Sequence, residues 1–435
     1  MKSLSFMEKL SLAYHFFTKI TPTMIFPYKS PEEIRAYQFE RIKSILIEAY
    51  EHVPFYRKLY DKSGVDVYSI QSLEEFSQKI PCIVKSDIIN HTDEFINDKY
   101  QKESLTLSRS SGTSGVFVDL YADASVYIEI EIQVIRMIKE IYKKYSPFDK
   151  EVLVYTSEYP VSSILGMYRS YYVNNLENSD RIFNFIIEKK PTVLAVYPSI
   201  LREIINNIDY DYKSLGIKLI ITNSEASSQL ERDYFSRVFN CDVIDEFSSE
   251  EIQSIAYQCK EHNYHEVADC SFIEVLEYDS NAPVPDGQIG ELTGTSLLNY
   301  AMPMIRYRHG DSVVKSGQTC PCGKNTPVFS RLEGRCNSSF VKKNGKSIPS
   351  GKLLDWSYSL VLNKNYRVQE FQIVQDSLTD ISIYLVAKQL SHEEKEDIIS
   401  YFQTFFGTDL NVTLHIVDTI SKTSSGKHIP IYSKI

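Results

Sequence analysis

Four short segments carry the residue types that phosphate and carboxylate chemistry uses. Ser108-Arg-Ser-Ser-Gly-Thr-Ser-Gly115 follows the strand-like run Leu105-Thr-Leu107. Its glycines let successive backbone N–H groups point into one concavity, and its hydroxyls add donors, which is what cradling a phosphate requires. No Gly-Lys-Ser/Thr closes it, so it is not a Walker A loop, and an ordinary polar loop has a similar composition. Pro303-Met-Ile-Arg-Tyr-Arg-His-Gly-Asp311 places a carboxylate at a turn, suited to accept hydrogen bonds from the two hydroxyls of a ribose. Lys422-Thr-Ser-Ser-Gly-Lys427 carries a lysine on a short Gly/Ser loop, a point charge that can meet charge developing on phosphate oxygens. Asp245-Glu-Phe-Ser-Ser-Glu-Glu251 follows the strand-like Cys241-Asp-Val-Ile244, and acids at a strand end suit Mg2+ held partly by phosphate oxygens. Taken singly, the last three read equally as a surface turn, a solvated basic tail and an acid-rich helix start.

These segments need a scaffold, and the pattern of the chain supplies one. Ser30-Pro31-Glu32-Glu33 is a helix start, and Ile34, Tyr37, Ile42, Ile45, Leu46 and Tyr50 continue it at helical spacing. Between about 150 and 330, the apolar runs VLVYTS, TVLAVY, KLIIT and CDVIDEF alternate with amphipathic stretches, which predicts α/β layers on a largely parallel sheet. SFIEVLEYD and ELTGTSL flank the turn-rich APVPDGQIG and predict an antiparallel hairpin. The last hundred or so residues predict a separate α+β module of two strands, a helix and a strand, with its boundary just after Gly334-Arg335.

Composition removes several function classes. Acidic residues outnumber basic ones by 57 to 47, a formal charge of −10, so no diffuse field favours nucleic acid. Gly and Pro number 16 each, too few for a collagen-like or linker-dominated chain. Lys2, Glu8, Lys9 and Lys19 break up any signal-peptide core, and no apolar run is long enough for a membrane span. Seven cysteines, an odd number in a long chain, do not make a disulfide framework, and a reducing, cytoplasmic compartment is the expectation. Cys320-Pro-Cys322-Gly323, with Cys259 and His265, offers a tetrahedral zinc set, in which Cys270 competes with His265; reduced surface thiols are the alternative.

Together and in this order, the four segments resemble the adenylate-forming ligase superfamily, and within it the phenylacetate–coenzyme A ligase family with its capsule-biosynthesis branch. The resemblance runs over nearly the whole chain and rests on Ser-Ser-Gly-Thr-Ser-Gly, Ile-Arg-Tyr-Arg-x-Gly-Asp, Gly334-Arg335 and the terminal Ser-Gly-Lys. His52-Val-Pro-Phe-Tyr56 and Lys79-Ile-Pro-Cys-Ile-Val-Lys85 add to it.

The resemblance implies an α/β fold: a large N-terminal adenylate-forming domain of layered α/β subdomains over 1–335, and a small mobile α+β domain over 338–435. It implies that a carboxylic acid attacks the α-phosphate of ATP and that the acyl-adenylate then passes to coenzyme A. An amine of a sugar, amino acid or cofactor, or a carrier-protein thiol, is the alternative acceptor. A non-catalytic binding protein on the same fold is argued against by the joint presence of Lys427, Glu251 and Asp311.

Residue by residue, the resemblance implies that Ser110, Ser111, Gly112, Thr113, Ser114 and Gly115 hold the triphosphate, and that Asp311 binds the ribose with Arg335 beside it. It sets Phe247 against adenine, Asp245 near the exocyclic amine, and Asn223, Ser224 and Glu225 on the other side. Glu251 holds Mg2+, Lys427 reaches the α-phosphate and the substrate carboxylate, and Asn337 is the hinge. Tyr155 and Tyr197, in Tyr155-Thr-Ser-Glu-Tyr159 and Tyr197-Pro198-Ser199, match segments that line the acid pocket. The Cys-x-Cys-Gly is common in the family and implies a structural zinc. Val116 replaces a frequent Lys, Phe247-Ser248 replaces Tyr-Gly, and Asn337 replaces Asp. None of these removes an indispensable group, and a homodimer is left open.

Overall fold

The computed structural model describes residues 6–110, 117–278, 280–335, 339–343, 345, 347–354, 357–358, 368–387, 390–406, 410–423 and 426–435. The chain is a mixed α/β protein that divides into two compact units. One holds residues 1–149, 159–169 and 246–331, and the other holds 150–158, 170–245 and 332–435.

In the first unit the helix Pro31–His52 opens with a capping box. Ser30 Oγ accepts the Glu33 N–H and the Glu33 carboxylate accepts the Ser30 N–H, satisfying two orphan donors at once. The helical pattern does not run on unbroken. It stops at Val53 and resumes as Pro54–Ser63, because Pro54 has no N–H and disfavours a helical residue before it. The strands Thr106–Ser110 and Val118–Ala122 pair antiparallel.

The sheet of this unit runs through Ser271–Leu276, Ile289–Ser296, Tyr307–Ser316, Val328–Arg335, Tyr264–Glu266, Gln253–Gln258 and the second half of Asp242–Ser249. The predicted hairpin is present, with Val275 opposite Leu292. Two fully buried ion pairs brace this unit. Asp269 accepts both terminal nitrogens of Arg136 at 2.8 and 3.0 Å, and Glu274 accepts two bonds from Arg306 at 2.9 Å each.

The second unit is built on the parallel strands Lys150–Tyr155, Val193–Val196, Leu219–Thr222 and the first half of Asp242–Ser249, with Arg169–Asn174 beside Lys150–Tyr155. The four apolar runs read from the sequence are these strands. The helices Ser179–Lys189, Pro198–Asn207 and Gln229–Phe239 cover them, and Val154, Leu194, Val196, Ile220, Ile182, Leu201 and Phe235 share one core. The unit also includes the C-terminal α+β module, a sheet in the order Asn411–Ile416, Asp380–Ala387, Val368–Gln375, Ile431–Ser433. The helix His392–Phe406 packs Ile398, Phe402 and Phe406 onto Ile373, Ile383 and Leu385 of that sheet. Among the described residues no helix is long and apolar enough to cross a membrane.

Candidate active site and metal cluster

The first unit positions three of the expected residues around one histidine. Asp311 lies on the strand Tyr307–Ser316, with its Oδ2 2.8 Å from His309 Nδ1. The His309 ring stands edge-on to Phe247 and to Tyr307, at 6.1 Å between centroids in each case. The Tyr307 hydroxyl donates to Glu251 Oε1 at 3.5 Å, and Glu251 is buried. Asp311, Phe247 and Glu251 are thus linked through His309 and Tyr307, which gives the histidine beside the motif a place that spacing alone did not assign.

Ser110 ends its strand 7% exposed, and its Oγ has no hydrogen-bond partner among the described residues. Ser111, Gly112, Thr113, Ser114 and Gly115, like Val116 and the hinge residue Asn337, lie outside the described residues.

One feature of this unit was not read from the sequence. Glu131, on the helix Ala124–Ile141, is 6% exposed. It neighbours Tyr159, whose ring stands edge-on to Tyr127 at 5.6 Å. Loss of hydration pushes the Glu131 carboxyl up to about 8, so it carries a proton at neutral pH.

The second unit gathers another set at the carboxyl ends of its parallel strands, where open α/β sheets bind ligands. Tyr155 ends the strand Lys150–Tyr155, Tyr197 follows Val193–Val196, and Asn223 follows Leu219–Thr222. The Tyr155 and Tyr197 rings stack at 6.1 Å, Asn223 Nδ2 donates to the Tyr155 hydroxyl at 2.5 Å, and Thr156 Oγ1 lies 3.1 Å from the Tyr197 hydroxyl. Ser224 takes a left-handed φ of +63°, and the Glu225 N–H donates to Asn223 O at 2.7 Å, which bends the chain sharply. Asp245 is buried and accepts Thr222 Oγ1 at 2.6 Å, with an Arg232 nitrogen at 3.9 Å.

The terminal lysine reaches this same place. Lys427 Nζ lies 6.0 Å from the Tyr197 ring centroid, within cation–π range. Its loop is closed by the Gly426 N–H to Thr423 O at 2.8 Å, the Thr423 N–H to Lys427 O at 2.9 Å and the Lys427 N–H to Thr423 Oγ1 at 3.0 Å. Arg335 ends the strand Val328–Arg335. Tyr155, Tyr197, Asn223, Glu225 and Lys427 are therefore brought together, although 272 positions separate the first from the last (427 − 155).

A second cluster lies in the first unit. The ligand atoms of Cys259, His265, Cys320 and Cys322 all fall within 4.8 Å of one another. Cys259 Sγ is 3.7 Å from Cys320 Sγ, and Cys322 Sγ is 3.2 Å from His265 Nε2. Bonds of about 2.3 Å to sulfur at tetrahedral angles put two sulfurs about 3.8 Å apart, so these spacings fit zinc. Gly323, with a φ of +85°, allows the turn that folds Cys322 back on Cys320. His265 Nδ1 lies 3.3 Å from Thr326 Oγ1, a contact that holds the ring with Nε2 toward the sulfurs. Cys270 lies outside this group.

Comparison with known proteins gives a consistent picture. Residues 340–434 match the family model of the CapK C-terminal domain. The phenylacetate-coenzyme A ligase of Thermus thermophilus is 25% identical over 337 residues, 73% of this chain and 74% of that protein. Protein CapK of Staphylococcus aureus is 25% identical over 397 residues, 86% of this chain and 83% of that protein. Among solved structures, 2-hydroxyisobutyryl-CoA ligase in the postadenylation state, in complex with R3-HIB-AMP, aligns with a TM-score of 0.80 at 18% identity, covering 94% of this chain and 91% of that one. At that identity the likeness establishes the fold, which is that of the adenylate-forming ligases.

Proposed function

We propose that this chain, which belongs to the adenylate-forming superfamily in the branch of the phenylacetate–coenzyme A ligases and CapK, is an ATP-dependent acid–coenzyme A ligase. A substrate carboxylate oxygen attacks the α-phosphorus of ATP, the bond to the β-phosphate oxygen breaks, and pyrophosphate leaves. The coenzyme A sulfur then attacks the acyl carbon, the acyl–phosphate C–O bond breaks, AMP leaves, and the thiol proton passes to solvent.

The observation that carries this reading is the seat of Lys427. A lysine from the end of the chain lies beside Tyr197 at the carboxyl ends of the parallel strands. A fixed ammonium there neutralises charge as the phosphorus becomes five-coordinate. Asp311 and Arg335 take the ribose; Phe247, Asp245, Asn223 and Ser224 take the adenine; Ser110 through Gly115 take the phosphates. A Mg2+ held by Glu251 and phosphate oxygens would draw charge from the departing pyrophosphate. The stacked Tyr155 and Tyr197 favour an aryl or otherwise apolar acid. The module after Arg335, hinged at Asn337, withdraws Lys427 for the thiol step. The reaction belongs in the cytoplasm, where ATP and coenzyme A are supplied.

The test is ATP–pyrophosphate exchange against a panel of aryl, fatty and amino acids. Exchange that depends on one of these acids supports the reading, and exchange with none of them sinks it.

The cysteine–histidine cluster is assigned to a structural zinc, since all four positions are taken by protein ligands and none is left for substrate. Protein purified without an affinity tag is expected to carry about one zinc per chain, and Cys320→Ser is expected to lose most of it and to unfold at a lower temperature. Metal analysis that finds no zinc in a fully stable parent protein overturns the assignment.

A further inference from the structure

We infer that Glu225 is a positioning residue for Lys427, holding the lysine loop in its working place for acyl-adenylate formation and for that step alone. The inference rests on the functional reading above and deepens it, because it moves Glu225 away from the adenine.

Both oxygens of Glu225 are spoken for within the fold. The side chain is 9% exposed. Its Oε2 accepts the Ser199 N–H at 3.0 Å, while Oε1 accepts the Ser199 hydroxyl at 2.9 Å and the His428 N–H at 2.6 Å. Ser199 lies in the first turn of the helix Pro198–Asn207, whose N-cap residue Tyr197 makes no side-chain cap bond. The carboxylate therefore caps this helix from another segment, where the helix dipole favours negative charge. The third bond goes to the backbone of the residue directly after Lys427.

That N–H belongs to a well-anchored residue. The His428 ring is buried, with its Nε2 2.9 Å from Phe371 O on the strand Val368–Gln375. One side of the residue is thus fastened to the sheet of its own module and the other to Glu225. The loop before it is seated just as closely. Gly426 has a φ of +75°, and a Cβ there would lie 2.6 Å from Leu176 Cδ2 and 2.7 Å from Asn175 Nδ2. A side chain there would press on both of these and would sit in left-handed backbone that favours glycine.

Neighbouring contacts hold the module without bonding to the backbone next to Lys427 as Glu225 does. On the same helix Arg202 meets the buried Glu231 and donates to the Tyr358 hydroxyl at 2.5 Å. Lys422 pairs with Glu203 at 3.1 Å, with both side chains about a third exposed, so this pair contributes little. Arg202 thus bears on docking of the module, whereas Glu225 bears on the position of the lysine itself. When the module leaves for the thiol step, Glu225 keeps its two bonds to Ser199 and loses only His428.

The experiment compares Glu225→Ala and Glu225→Gln with the parent full-length protein in both half-reactions. Glu225→Ala is expected to lower kcat for ATP–pyrophosphate exchange by about 10²-fold, the cost of displacing a catalytic group by an ångström. The KM for ATP should stay within about 2-fold, and thioester formation from supplied acyl-adenylate and coenzyme A should be unchanged. Glu225→Gln, whose oxygen can still face the His428 N–H although its NH2 then meets the Ser199 N–H, is expected to recover part of the rate. A raised KM for ATP with kcat intact would return Glu225 to the nucleotide, and equal losses in both half-reactions would make it merely structural; either overturns the inference.

A readout free of catalysis separates this from the functional reading. Amide hydrogen exchange over 422–430 should speed up in Glu225→Ala while the strand Val368–Gln375 stays protected. Unchanged protection over 422–430 contradicts the inference, even in a protein that shows no exchange with any acid.

Discussion

Replacing Lys427 with alanine is expected to lower acid-dependent ATP–pyrophosphate exchange by about 10²- to 10³-fold, the scale on which removal of one preorganised electrostatic partner of the transition state falls. The ammonium lies 6.0 Å from the Tyr197 ring, held by a loop closed through Thr423 and Gly426 and seated on Glu225. Its charge matters most when negative charge builds on the α-phosphate oxygens, so its loss falls on kcat more than on binding. ATP affinity should change little, because the ribose and phosphate roles are proposed for Asp311 and for Ser110 to Gly115. Lys427→Arg is expected to recover little, since a planar fork does not fill the place of a compact point charge. Equilibrium ATP binding beside exchange rates checks both halves of this expectation. Undiminished exchange in Lys427→Ala would remove the lysine from the chemistry.

The second large effect is on stability. Arg306 is 0% exposed and sits in left-handed backbone at φ +50°. It gives two bonds of 2.9 Å to Glu274 and a further short bond to Ile80 O, and its own C=O accepts the Ile83 N–H at 3.1 Å. One residue thus ties the strand Ser271–Leu276 to the segment after the helix Leu73–Lys79 and leads into the strand that carries Asp311. Arg306→Met leaves Glu274 buried and uncompensated and should cost about 3–5 kcal/mol. Adding Glu274→Leu removes the orphaned charge and should return much of that loss. Denaturant midpoints of the parent, the single and the double variant measure it. A single variant as stable as the parent would contradict the role given to the pair.

Much of the scaffold was legible because it obeys local rules. The capping box at Ser30 and Glu33, the four buried parallel strands and the hairpin Ser271–Leu276/Ile289–Ser296 all follow from periodicity and turn chemistry. Other elements do not announce themselves. Tyr127 to Gln133 alternates apolar and polar residues in the strand period, yet it is helix. Asp123 starts it by accepting the Ser125 N–H at 2.7 Å, and tertiary packing on both faces overrides the local pattern. Glu131 escapes notice for the same reason, since its burial is a property of the fold. The strand Ile431–Ser433 is too short to carry a pattern and exists because Val368–Gln375 offers it an edge.

The site divides in the same way. Lys427, Asp311 and Glu251 were visible as residue types in motifs, whereas the partners that fix them were not. His428 meets Glu225 across 203 positions, and Tyr307 meets Glu251 across 56. Nothing in the spacing of single residues encodes such pairings. Arg306 was legible only as a letter in a motif, and its burial shows why the motif holds an arginine there.

Product analysis with coenzyme A, using an acid that supports pyrophosphate exchange, decides between a thiol and an amine acceptor. AMP and an acyl–coenzyme A thioester are expected in equal amounts, with both dependent on Lys427. AMP and an amide of an added amine, with no thioester at any coenzyme A concentration, would contradict it and make the chain an acid–amine ligase.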